Sequence, residues 1–224
     1  MQEKKYSIQK DFSMMALMFI PIGVAINFVG GQLASLLKLP VYLDTIGTML
    51  TAILSGPWVG AVTGLLTNIV TGIANPVNFW FIPVNVIVGL VVGFLSRADW
   101  WRGWKLILSF IIMDLVSLLV ATPIVVYVYG GVTGGGTSLL TAVLMATGQS
   151  IWASVMSVEI VWTTLDRVLS YLIAMLIIKV IPAKTLVKFS LGELYIGKKK
   201  TELPELEEAE EIVEEIVTTD DKTE

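Results

Sequence analysis

Cysteine and histidine are both absent from the 224 residues. Their absence excludes thiol redox chemistry, Cys- or His-ligated metal sites and imidazole acid–base catalysis. Charge is scarce as well. Asp, Glu, Lys and Arg make up 15% of the chain, against about a quarter in soluble domains, which excludes an ordinary soluble fold. No G-x-x-x-x-G-K-[ST] phosphate loop occurs, so no ATP hydrolysis is expected of this chain. H-E-x-x-H and G-x-S-x-G are missing too, and no serine has a histidine to activate it. Asp44 and Asp114 do not read as the aspartate pair of an intramembrane protease, because no recognisable motif flanks either. Nothing here calls for a catalytic residue, a cofactor, a bound metal or a nucleic-acid partner.

What is abundant is apolar sequence: 55% of residues are hydrophobic and the mean hydropathy is +0.79. Apolar runs near the length that crosses about 30 Å of hydrocarbon recur along the chain. The fold class expected is an all-α polytopic membrane protein, a six-helix bundle with spans at 12–30, 41–56, 57–73, 78–96, 105–129 and 158–181. The first run starts near Phe12 with no A-x-A-like cleavage site, so it reads as a span and not a signal peptide. Segment 138–157 is apolar but dotted with Ser, Thr and Gln. It reads either as a seventh span or as a helix lying over the outer surface.

Charge sets the parity. Lys4, Lys5 and Lys10 precede the first span; Arg97, Arg102 and Lys105 follow the fourth; Lys179, Lys184, Lys188 and Lys198 to Lys200 follow the last. An even number of spans puts all of these on one side, the cytoplasmic one by the positive-inside rule. Both termini are then cytoplasmic: a segment 1–11, a membrane domain 12–185 with outer loops 30–40, 73–78 and 130–157, and a tail 186–224 expected to be partly disordered. The net charge of −4 hides a basic body and an acidic tail, where Leu203, Leu206, Ala209, Ile212, Val213 and Ile216 fall at helical spacing. Three tryptophans in "SRADWWRGWK" read as an interfacial anchor.

Small residues recur every fourth position at Gly56, Gly60 and Gly64, with Asn68 and Gly72 completing the stripe, and again at Gly89 and Gly93. Such stripes let helices approach closely. The amide of Asn68 on that stripe must find a partner. The first span combines Ala16, Gly23 and Ala25 with Pro21, which suits an internal packing surface or a docking face for another membrane protein.

The polar residues gather towards the outer side: Asn27, Gln32, Tyr42, Asp44, Asn68, Asn75, Asn78 and Asn85, with Trp80 between the amides and Trp152, Glu159 and Trp162 bordering the last span. Aromatic walls with a few placed amides and carboxylates suit a small-molecule pocket; helix caps in an aromatic belt are the plain alternative for each residue singly. Asp44 either caps the second span through the amides of Ile46 or Gly47 or meets a ligand. Asp114, Asp166 and Arg167 read as structural or coupling residues, since intramembrane charges face protein or water.

The stretch "LPVYLDTIGTMLTAILSGPWVGAVTGLLTNIVTG" resembles the D-x-x-G-T…G-P-x-x-G-A…G-x-x-x-N run of vitamin-specific S components of energy-coupling factor (ECF) transporters, and weaker similarity extends over residues 10 to 185. The resemblance implies a bacterial cell-membrane subunit that binds a vitamin from outside and topples to deliver it when docked on a transmembrane coupling protein and two ATPases. It implies a pocket among the later helices and docking through small residues of the first helix, here Ala16, Gly23 and Ala25, with Gly60 and Gly64 as the other candidates. The family's A-x-x-x-A is not reproduced, because Ala16 is followed four residues later by Ile20. Trp and Asn abundance and the loop 130–138 favour cobalamin first and riboflavin second. The competing class is a self-sufficient ion-coupled carrier, for which no internal repeat is visible.

Overall fold

A computed structural model describes residues 8–197, and among them every regular element is helical. A short turn, α1 (Ile8–Asp11), leads into α2 (Met14–Leu36), whose N-cap Ser13 accepts a hydrogen bond from the Ala16 amide at 3.2 Å. An irregular loop then leads to α3 (Ile46–Ser55). Gly56, at φ +99°, breaks the chain direction, and α4 (Pro57–Ala74) starts at once with proline at its first position. There the missing N–H is no loss, while the positive φ suits glycine. The turn α5 (Val77–Trp80) precedes α6 (Ile82–Arg97). Helix α7 (Lys105–Pro123) loosens after Pro123 into a π-turn, Ile124–Val128. The chain closes with α8 (Ser138–Ala146), α9 (Ile151–Val180), the turn α10 (Ala183–Leu186) and a 3-10 turn, Gly192–Tyr195.

Among the described residues, six apolar helices of ten residues or more stand near the six expected spans, but they are unequal. Met14–Leu36, Pro57–Ala74, Lys105–Val128 and Ile151–Val180 are long and apolar enough to cross a membrane, whereas Ile46–Ser55 and Ile82–Arg97 are shorter. At 1.5 Å per residue, α3 covers about 15 Å and α6 about 24 Å. Helix α3 tolerates this because it lies inside the bundle: all its residues are buried, among α2, α4, α6 and α9. Irregular backbone at membrane depth is acceptable where protein satisfies it. In the loop before α3, Asp166 Oδ1 does so, accepting from the amides of Tyr42 at 2.9 Å and Leu43 at 2.7 Å.

Packing density comes from glycine. A Cβ on Gly89 would overlap the backbone of Gly60, one on Gly64 the carbonyl of Asn85, and one on Gly93 the backbone of Pro57. Helices α4 and α6 therefore touch main chain to main chain, as the small-residue stripe implies.

Two features differ from expectation. Segment 138–157 is neither a seventh span nor one surface helix: α8 stops at Ala146, Gly148 turns at φ +90°, and α9 begins at Ile151. Ser150 sets that start, its hydroxyl accepting from the Ala153 amide at 3.3 Å. Trp101 is no interfacial anchor. It is 2% exposed, donates Nε1–H to the Val92 carbonyl at 3.1 Å, and stacks on Tyr171 with ring centroids 5.1 Å apart; Trp104 alone of the three is well exposed.

Residues 183–197 fold back on the bundle. Leu186, Phe189, Leu191 and Ile196 are buried, the Leu191 amide donates to the Leu54 carbonyl at 2.9 Å, and Ser190 Oγ donates to the Ser55 carbonyl at 2.9 Å. These bonds satisfy carbonyls that the end of α3 leaves without helical partners. Burial beside Ser96 pushes the Tyr195 phenol up to about 12. The apolar–acidic pattern of the tail, from Leu203 to Ile216, lies outside the described residues.

Candidate functional site

Two polar systems meet around α3. The first is an amide–hydroxyl ladder. Asn27 of α2 donates through Nδ2 to Thr48 Oγ1 and to Thr67 Oγ1, both at 2.9 Å, and its Oδ1 accepts from the Gly47 amide at 2.6 Å. Thr48 donates to Asn85 Oδ1 at 2.9 Å, Asn85 Nδ2 to Asn68 Oδ1 at 2.7 Å, and Asn68 Nδ2 to the Asn78 carbonyl at 2.8 Å. Asn27, Asn68 and Asn85 are all at most 3% exposed. Asn68 has the partner its position demands. The start of α3 is capped through Gly47 by Asn27, a residue of another helix. Asp44 makes no such bond to Ile46 or Gly47 among those observed, and the N-cap residue itself is Thr45.

The second system ties two loops to α9. Tyr42 donates its hydroxyl to Glu159 Oε1 at 2.9 Å and lies 3.0 Å from Thr137 Oγ1. Glu159 Oε2 accepts from Thr163 Oγ1 at 3.0 Å. Asp166, holding the Tyr42 and Leu43 amides, also pairs with its neighbour Arg167 at 3.3 Å, and Arg167 donates to Thr45 Oγ1 at 2.6 Å. Gly136 abuts the Leu39 carbonyl, where a Cβ would collide. The loop before α3 and the glycine-rich loop before α8 are therefore latched to each other and to α9. Asp44 is half-buried on the same loop.

Between α7 and α9 the polar groups are not matched. Thr164 Oγ1 lies 2.8 Å from Asp114 Oδ2 and 2.7 Å from the Ile160 carbonyl, yet a hydroxyl has one proton to donate. Asp114 Oδ1, Ser117 Oγ, Thr122 Oγ1, Ser154 Oγ and Arg167 Nε are buried without a hydrogen-bond partner. Intramembrane hydroxyls commonly bond the carbonyl four residues back. Thr63, Thr67 and Ser109 do so here, while Ser117, Thr122 and Ser154 do not. These unpartnered groups lie on buried faces of α7 and α9.

The remaining expected ligand residues are spread more widely. Asn75 is exposed and accepts from the Val77 amide at 3.2 Å in a local turn. Asn78 is half-buried, its Nδ2 3.4 Å from the Thr71 carbonyl. Trp80 is exposed; Trp152 is exposed and packs edge-on against Tyr127 with centroids 5.5 Å apart. Gln32 and Trp162 are half-buried. Of the small residues expected at a docking face, Ala16, Gly23, Gly60 and Gly64 are buried contacts of this chain with itself, and Ala25 is exposed. A Cβ on Gly23 would meet the methyls of Thr51 and Thr63 at 2.9 Å.

The sequence reading passes over Thr137, Ser117, Thr122 and Ser154, whose unremarkable types give no local signal. Thr45 and Thr48 are flagged by lying in the D-x-x-G-T motif beside Asp44.

Residues 15–178 match the family described as ECF transporter, substrate-specific component. No curated protein and no solved structure matches the chain.

Proposed function

Since the chain belongs to the family of ECF transporter substrate-specific components, we propose that it captures a vitamin or vitamin precursor in the α7–α9 seam from outside the cell. The observation that carries this reading is the latch beside the seam. Tyr42, Thr137, Glu159 and Asp166 hold two loops shut beside buried hydroxyls and one carboxylate oxygen, Asp114 Oδ1, that lack partners. A small-molecule site needs enclosed walls and a few polar groups free to orient the ligand. The Tyr42 hydroxyl is the side-chain contact that both loops share with α9, so its release loosens the latch, while Asp166 still holds the Tyr42 and Leu43 amides.

The family makes the chain a small-molecule-binding subunit in a membrane, working with ECF partner subunits; the ATPase belongs to those partners. In our reading both termini are cytoplasmic, and delivery follows docking on the coupling protein and toppling in the membrane. The docking surface we assign to the exposed face of α2 around Met14, Met18 and Ala25. Cobalamin and then riboflavin are the vitamins that aromatic and amide content favour.

The test is to purify the chain alone in detergent and measure vitamin-dependent thermal shifts, then to reconstitute it in vesicles with and without coupling protein and ATPases. Tight binding without uptake, and uptake on adding the partners with ATP, is the expected result. Uptake by the isolated chain driven by an ion gradient would make it a self-sufficient carrier instead.

A further inference from the structure

We infer that the seam takes a positively charged nitrogen of the substrate on Asp114, an inference that rests on the binding reading above. The seam and its loops bring together Asp44, Asp114, Glu159 and Asp166 against one guanidinium, Arg167. Arg167 is already committed to Asp166 at 3.3 Å and Thr45 at 2.6 Å. Among the described residues, the other basic side chain at this end is Lys38, which is exposed at the start of the loop. With Asp166 and Arg167 cancelling, the remaining carboxylates give the seam a negative balance. In apolar surroundings a carboxylate either takes up a proton or meets a counter-charge, and a cationic group of the substrate would supply the second.

Glu159 has two hydroxyl donors, from Tyr42 and Thr163. Asp114 has a share of one proton, from Thr164, and its Oδ1 has nothing. It is 9% exposed, and Ser117, three residues on and therefore on the same helix face, is 1% exposed with its hydroxyl unpaired. An acidic group alone would not make a site. An unpaired hydroxyl beside it, in a helix where Ser109 satisfies itself on its own backbone, supplies the second, independent sign of a missing ligand group. A cationic nitrogen fits Asp114 Oδ1, and Ser117 bonds a neighbouring polar atom of the same molecule. An anionic substrate would add to the negative balance. This charge criterion ranks cationic vitamins above riboflavin, which is uncharged.

The experiment is a thermal-shift and binding panel on the full chain in detergent, using thiamine and pyridoxamine as cations, riboflavin and cobalamin as bulky aromatic or corrin ligands, and biotin and folate as anions. Stabilisation by a cation, with the anions inert, is expected. Asp114→Asn keeps the bond to Thr164 and is expected to leave the ligand-free protein at least as stable while weakening cation binding about 10- to 100-fold, as loss of a charged hydrogen bond does. Ser117→Ala removes a hydroxyl that bonds nothing in the free protein, and is expected to weaken binding by about threefold to tenfold with no loss of ligand-free stability. Tight binding of riboflavin, cobalamin, biotin or folate with thiamine and pyridoxamine inert would overturn this inference and keep the binding reading. Asp114→Asn with unchanged cation affinity would overturn it too. A panel in which nothing binds would count against both.

Discussion

Asn27 holds three helices with one side chain, and its replacement tests how much of the bundle's stability is polar. Asn27→Ala leaves the Gly47 amide without its partner in a fully buried site and costs Thr48 and Thr67, which keep their bonds to Asn85 and the Thr63 carbonyl, one bond each. Each unsatisfied buried group costs about 1–3 kcal/mol, so we expect a loss of about 2–5 kcal/mol in denaturant unfolding in detergent, without a direct effect on ligand charge preference. Tyr42 makes the complementary case. Tyr42→Phe keeps the ring and removes the hydroxyl that joins Glu159 to Thr137. A hydrogen bond to a carboxylate contributes about 1.5–3 kcal/mol, which predicts at least about tenfold faster release of bound ligand in a chase experiment. Unchanged release would remove Tyr42 from the gate. At this scale the sequence is partly legible. A lone amide on a packed stripe announces that Asn68 needs a partner, but only the folded chain shows that Asn85 and Asn78 provide it. The same holds for Asp44, whose expected capping bond is made instead by Asn27, from the preceding helix.

Helices α4 and α6 meet through Gly60, Gly64, Gly89 and Gly93, and this contact is the most sensitive to added volume. Gly89→Ala would push a methyl into the Gly60 backbone. Overpacking costs about 1–3 kcal/mol where side chains can move; here main chain must move, so we expect more than about 3 kcal/mol and poor accumulation of folded protein. Gly135→Ala is the control, because only Thr133 Oγ1, at 3.7 Å, lies near its added carbon. Equal stability of the two variants would show that α4 and α6 are not in main-chain contact. The positions of the helices are readable from hydropathy alone, since apolar run length reflects a constraint each segment meets locally. Their ends are less so. The onset of α9 at Ile151 depends on Ser150 and the Gly148 turn, which polar residues in 138–157 disguise as a loop. Trp101 shows the limit of composition: a tryptophan among basic residues looks interfacial, and its burial against Tyr171 and Phe110 is a tertiary fact.

For the molecule as a whole, α3 is the axis. It is too short to cross a bilayer by itself, and the structure completes it at one end with the latched loop and at the other with residues 183–197. From Leu186 on, that closing segment is read from sequence as a basic tail beyond the last span, yet it closes the base of the core through Leu54 and Ser55. The stitch has a consequence for how the protein is made. A helix synthesised early waits, with carbonyls open, for residues that emerge from the ribosome only after every other helix. The bundle therefore closes last at its base, and translation must run past Ile196 before the fold is secured. Chains stopped after Pro182 are expected to be inserted but to fail as a single sharp species in size-exclusion chromatography, whereas chains stopped after Gly197 behave like the full-length protein. In this fold the second of the six apolar helices is sealed only by the segment that follows the last span.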